Sequence, residues 1–274
     1  MTPLLSIILP VLDGMPSSQL KHALQRTMPR HAEDFADIES GFRALTARRQ
    51  KPELLRRFFQ SWSQTNNSAM TVAGISNRLT LMMHTCETIP DPGALTRAIV
   101  SLNRIVDEDL AVTTAILHSK LFYAMATGIV GDDQWLLHRH IDPAAQAFKD
   151  WKDRNSLRER DPMVALLTTL VHEIYTHGEV EYILPLFRTW LARDLGVDDD
   201  ASRRTLAWIS VHCGPTEKNH FFHAVDAVGH YARAMHLHVE DYPIDEIVAE
   251  YLTRKAEVMR ALFEVDRTVD AVAA

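Results

Sequence analysis

Histidine and acidic side chains recur in this chain at spacings that suit metal binding. There are 14 histidines in 274 residues, and eight of them lie between His172 and His238. The densest stretch is Trp208-Ile-Ser-Val-His212-Cys-Gly214-Pro215-Thr-Glu217-Lys-Asn-His220-Phe-Phe-His223. Glu217 and His220 are i,i+3 neighbours on a helix. His212 stands eight residues before His220, about 80° off line in a regular helix. Gly214-Pro215 intervenes, and proline removes a helical hydrogen bond. A one-residue bulge there would restore an i,i+7 alignment and let His212, Glu217 and His220 converge. The plainer alternative ends one helix at Gly214-Pro215 and opens another at Glu217, with the histidines incidental. His223, Asp226 and His230 form a rival face at i, i+3 and i+7.

Two further segments carry matching groups. In the first, Glu173, His177 and Glu181 share a face at i, i+4 and i+8, which an exposed stripe of i,i+4 pairs would also explain. Leu166, Leu167, Leu170 and Ile174 project near Glu173 and make it the inward carboxylate, with Glu181 in reserve. In the second, Glu108, Ala111, Ala115 and His118 follow a slowly drifting stripe, with Asp107 and Asp109 flanking the Glu. The small alanines leave room beside a buried centre. The plain reading of this pair is a solvated Glu108 and a satisfied core histidine at His118. Imidazole plus carboxylate without thiolate suits iron or manganese in a redox or oxygen-activating role. Six protein ligands shared by two metals would leave positions open for oxygen and substrate.

Such groups need rigid rods to position them. Glycine is scarce, β-branched alternation is almost absent, and apolar residues recur at helical spacing nearly throughout. Breakers predict eight or nine helices in one all-α domain. The first two cover roughly 3–13 and 16–27, a third 31–49, a fourth opens at Pro52, and a fifth runs to about Glu87. A long helix follows over about 94–127, closed by Gly128, then a shorter helical stretch over 133–157. A second long helix, about 162–194, opens on Asp161-Pro162, with Pro185 placed to kink or split it. A third covers about 201–238, and the last runs from Tyr242-Pro243 to near Val269. Residues 1–50 form an N-terminal helical extension, 51–240 the metal-binding core and 241–274 the C-terminal helix. Bundles of this kind commonly build metal sites from inward side chains of different helices.

The bulk numbers narrow the function classes. A formal net charge of −7, with Lys and Arg spread along the chain, gives no basic face for nucleic acid. Two cysteines, Cys86 and Cys213, exclude a disulfide scaffold and fit a reducing compartment, with the cytoplasm as the expected location. The apolar start lacks a basic flank and is broken by Pro10, so it reads as a packing helix and not a signal peptide. No run of about 18 apolar residues predicts a membrane span.

The pattern resembles the heme-oxygenase-like diiron oxidases and oxygenases over roughly residues 50–240. That family has a seven-helix core. Its ligands are a Glu and a downstream His on one core helix, a carboxylate on the second, and a His-x3-Asp/Glu-x2-His run on the third. The stretch Asn103 to Gly128, with Glu108 and His118, looks like the first core helix. Glu173 matches the second carboxylate, and His212, Glu217 and His220 look like the third run, with four residues between His212 and Glu217 instead of three. The resemblance implies Fe(II), two per chain, bound by Glu108, His118, Glu173, His212, Glu217 and His220. Glu181, His223 and Asp226 are the alternative ligands. It implies O2 activation on a small-molecule substrate, in N-oxygenation or oxidative C–C or C–H cleavage of specialised metabolism, with an external electron donor where the substrate supplies no electrons. Tyr175, Phe221 and Phe222 would line the pocket or simply pack the core. The cysteine-dependent thiaminase-like branch is not matched. A homodimer is compatible with the helical surfaces. The competing readings are a metal-free helical binding or scaffold protein, a one-metal enzyme, and a cofactor-free oxidase pocket.

Overall fold

A computed structural model describes residues 1–66, 68–86, 88–110 and 117–272, with side chains to residue 263. Every regular element among them is helical. The α-helices are α1 (Pro3–Asp13), α2 (Gln19–Thr27), α3 (Ala32–Thr46), α4 (Pro52–Asn66), α5 (Ala69–Thr85), α6 (Pro92–Asp109) and α7 (His118–Val130). They continue as α8 (Pro143–Asp153), α9 (Pro162–Leu195), α10 (Asp199–Thr205), α11 (Ala207–His212), α12 (Pro215–Met235) and α13 (Ile244–Val272).

Local chemistry sets the starts. Proline opens α1, α4, α6, α8, α9 and α12, where its missing N–H costs nothing. Asp91, Asp142, Asp161 and Asp198 each accept a backbone N–H at the start of α6, α8, α9 and α10. Such a cap contributes about 1 kcal/mol.

The long α9 is the axis of the bundle. It is buried on nearly every side from Ala165 to Val180, so its sequence carries little amphipathic pattern. α12 packs against both α6 and α9, α5 against α6, and α13 against α3 and α8. The N-terminal helices belong to the same core. α1 lies on α9 so closely that a Cβ at Gly178 would meet the Ile8 side chain at 2.7 Å. Buried Glu39 of α3 accepts the Leu4 amide at 2.7 Å and so caps the start of α1.

Three expectations need correction. Pro185 does not split α9, which runs on to a left-handed Gly196. Pro185 is exposed, so water can satisfy the carbonyl it frees. The helix expected over 94–127 is described as α6 and α7, with Ala111 and Ala115 outside the described residues. α7 ends at Gly131, with φ 90°, and not at Gly128. The helix expected over 201–238 is three helices. The break between α11 and α12 sits at Gly214, with φ 72° and ψ −126°, a conformation that a β-carbon opposes. No helix among the described residues is long and apolar enough to cross a membrane.

Candidate metal centre

Five helices deliver acid and imidazole groups to one interior point. Asp109 ends α6, His118 begins α7, Glu173 lies mid-way along α9, His212 ends α11, and Glu217 and His220 occupy the first turns of α12. The break at Gly214-Pro215 is what aims the last three together. It ends α11 at His212 and restarts the chain in a new direction, with Glu217 near the N-terminus of α12, where the helix dipole favours a carboxylate.

The groups form two clusters joined by one residue. Ligand atoms of Asp109, His118 and His212 lie within 4.8 Å of one another, as do those of Glu173, Glu217 and His220. His118 Nδ1 is 3.2 Å from Asp109 Oδ1 and 3.1 Å from His212 Nε2. Glu217 spans both clusters: Oε1 is 3.7 Å from His212 Nε2, and Oε2 is 3.6 Å from His220 Nδ1. His220 Nδ1 also stands 3.7 Å from Glu173 Oε2. Two ligand atoms each about 2.1 Å from one ion and at right angles would be about 3 Å apart, close to the His118–His212 spacing.

The surroundings fix the imidazoles. His212 Nδ1 lies 2.6 Å from the Trp208 carbonyl, to which it donates, leaving Nε2 free to face the cluster. His220 Nε2 is 3.1 Å from Glu108 Oε2, so Nδ1 points at Glu173 and Glu217. Carboxylates and carbonyls behind a histidine serve this purpose in metal sites generally.

The protonation pattern is that of a site short of positive charge. Burial, and then the charge of Glu217, pushes the Glu173 carboxyl well above its usual range. Burial alone would depress His220, yet the hydrogen bond to Glu108 and the nearby carboxylates of Glu217 and Glu173 push it up to about 12. Burial would likewise raise Asp109, but the hydrogen bond from His118 and the nearby His212 and His220 outweigh it and hold the carboxyl below its usual range. Even so, Glu173 Oε1, Glu217 Oε2 and His220 Nδ1 are buried with no hydrogen-bond partner. Orphaned atoms of this kind are costly, and a cation held by Glu173, Glu217 and His220 would offset that cost. The donor set, oxygen and imidazole nitrogen only, suits iron or manganese.

The structure brings together five of the six residues named from sequence and rearranges the sixth. Glu108 is partly exposed and lies behind His220, while Asp109 occupies the inner position. The signal for this was present. The buried face of α6 runs Ala98, Ser101, Leu102, Ile105, Asp109, so Asp109 sits at i+4 from Ile105 and i+7 from Leu102. The alternative ligands lie elsewhere. Glu181 is half-buried and accepts the Gly214 amide at 2.5 Å, bracing the turn before α12. Asp226 is exposed, and His223 is half-buried outside both clusters. The Gly214-Pro215 break is the one the plainer alternative foresaw, and His212 and His220 on either side of it both approach Glu217.

A cavity of about 460 Å³ reaches the first cluster. Asp109, His118, His212 and Glu217 form its inner wall, whereas Glu173 and His220 do not line it. Phe122, Tyr123, Leu157 and Trp208 supply apolar walls, and Asn66 and Lys149 polar ones. Thr176, whose buried hydroxyl has no hydrogen-bond partner, also lines it. Tyr175 and Phe221, expected at the pocket, are fully buried in the core, and Phe222 is half-buried outside the cavity wall.

No family model matches the chain, and no curated protein does. Its fold is similar to that of a crystal structure described as a TenA homolog from Pseudomonas syringae pv. tomato str. DC3000. The TM-score is 0.63 at 12% sequence identity, over 92% of this chain and 93% of that one. TenA proteins have the all-helical heme-oxygenase-like fold, and this chain shares it. At that identity the likeness speaks to the fold alone. Neither cysteine lines the cavity. Burial, and then Glu181, pushes the Cys213 thiol up to about 12, where it is a poor nucleophile.

Proposed function

We propose that this chain is a non-heme diiron oxidase or oxygenase acting on a small molecule in the cavity beside the acid–imidazole centre. The carrying observation is the pair of three-residue clusters bridged by Glu217. Asp109, His118 and His212, with Glu217 Oε1, would hold one ion. Glu173, His220 and Glu217 Oε2 would hold the other. Two ferrous ions there would supply the electrons that activate dioxygen.

The rest is the work of the chain. Trp208 and Glu108 hold His212 and His220 in the orientation that ligation requires. The first cluster faces the cavity and the second lies behind it, so a substrate meets the Asp109–His118–His212 side.

Anaerobic reconstitution with Fe(II), followed by metal analysis, tests the proposal. About two irons per chain are expected, and His220→Ala should abolish uptake without unfolding the protein. A chain that takes up no iron would be better read as a metal-free helical binding protein, and one iron would point to a mononuclear enzyme.

A further inference from the structure

A second buried network begins where the metal centre ends. The Trp208 ring lies 4.8 Å from the His212 ring and 5.1 Å from Trp62. Trp62 Nε1 donates to Glu179 Oε1 at 2.9 Å, and the Tyr175 hydroxyl donates to Glu179 Oε2 at 2.5 Å. Tyr175 stands 5.2 Å from Tyr251, and Tyr251 stands 6.2 Å from Trp151. Trp151, at 8% exposure, is the most exposed ring of the series and lies beneath the Arg254 guanidinium. Each separation lies in the range of packed aromatic pairs or is bridged by a shared carboxylate. Packing alone is served by phenylalanine and leucine. Here the line from a metal ligand to the surface consists of the side chains most readily oxidised by one electron.

Tyrosine oxidation also needs a base for the phenolic proton. Glu179 is placed for that: it accepts from Trp62, Asn66 and Tyr175, and Lys255 Nζ lies 3.6 Å away. Tyr251 has His172 Nδ1 at 2.9 Å from its hydroxyl.

We infer that Trp208, Trp62, Tyr175, Tyr251 and Trp151 form a relay that carries single oxidising equivalents from the metal centre to the surface beside Arg254. The inference rests on the diiron reading for its oxidant, which arises when dioxygen reacts at the centre with no substrate bound. Trp208 gives one electron to the centre and regains it from Trp62, which regains it from Tyr175. As Tyr175 loses its electron, its proton moves to Glu179 Oε2, and it returns when Tyr251 supplies the next electron; Tyr251 passes its own proton to His172 Nδ1 and recovers it when Trp151 supplies the electron. Trp151 is oxidised last and is restored by an external one-electron donor such as a thiol. The net result is one electron from the donor to the centre, with no amino acid consumed.

The relay is testable without metal. A ruthenium polypyridyl photo-oxidant is attached at Arg254→Cys in a Cys86→Ser, Cys213→Ser background, and radicals formed by flash–quench are trapped for electron paramagnetic resonance. A tyrosyl radical is expected in the parent. Its yield should fall at least tenfold in Tyr251→Phe and stay within twofold in Tyr123→Phe, with circular dichroism confirming both folds. An unchanged yield in Tyr251→Phe overturns the relay, whatever the protein does with iron. The inner half is read by mass spectrometry of iron-loaded protein exposed to oxygen without substrate. Oxidised Trp151 is expected in the parent and should fall at least fivefold in Trp62→Phe, with damage retained near Trp208. Equal Trp151 oxidation in both proteins overturns the route through Trp62. A chain that takes up no iron defeats the diiron reading and leaves the photochemical result to judge the relay.

Discussion

Glu173 and Glu179 are two buried carboxylates on the same helix, six residues apart, and they could hardly be treated more differently. Glu179 is fully provided for. Trp62, Asn66 and Tyr175 donate to it, and buried Lys255 stands beside it. Glu173 faces a second carboxylate, Glu217, has one oxygen with no partner, and is pushed by burial toward holding a proton. The first arrangement is closed and complete without any ligand. The second makes physical sense as half of a cation site. Burial alone therefore does not tell the two carboxylates apart; incomplete satisfaction does.

The largest expected effect breaks the complete network. Lys255→Met leaves Glu179 buried without its cation and should cost about 3–5 kcal/mol in denaturant unfolding. A loss below about 1 kcal/mol would mean that the network is not closed as drawn. Next, Asp109→Asn should weaken Fe(II) binding more than about 100-fold, whereas Glu108→Gln, one step behind His220, should cost roughly 10–100-fold. Titration calorimetry under anaerobic conditions ranks the two, and the reverse order would return Glu108 to the inner position. Glu173→Gln mimics the protonated side chain, so metal-free stability should change by less than about 1 kcal/mol. The same variant should bind only about one iron per chain, and a large loss of metal-free stability would show that Glu173 is structural like Glu179.

The smallest effect is in pH. Metal-free His220 holds its proton up to about 12, and ligation must displace it. Fe(II) affinity should therefore rise with pH, by up to about tenfold per unit for each proton released. In the metal-free protein the raised His220 works the other way. Its stabilisation is complete below the ordinary value of 6.5 and declines as pH climbs toward about 12. Affinity independent of pH between about 6 and 8 would remove His220 from the ligand set.

Much of this was legible in the chain itself. Helical periodicity, proline at the first turn and aspartate caps give the starts of α1, α4, α6 and α9, because those signals act within a few residues, whereas the stretch read as helical over 133–157 is regular α-helix only over α8. Imidazole and carboxylate at short spacing picked out His118, Glu173, His212, Glu217 and His220. Three-dimensional information was needed where neighbours competed. Glu108 and Asp109 differ by one residue and 100° of helix rotation, and only the burial of α6 chooses between them. Pro185 reads as a break until its exposure is known.

The amino-acid order alone determined an all-α chain carrying a histidine–carboxylate set without thiolate, because periodicity and side-chain chemistry are local properties. The tertiary structure decided which carboxylates meet which imidazoles. That choice depends on five helices crossing at one depth, on the direction in which Gly214 sends α12, and on whether a buried acid such as Glu179 finds Lys255 or, like Glu173, finds another acid. Those are relations between residues up to about a hundred positions apart, and no local signal records them.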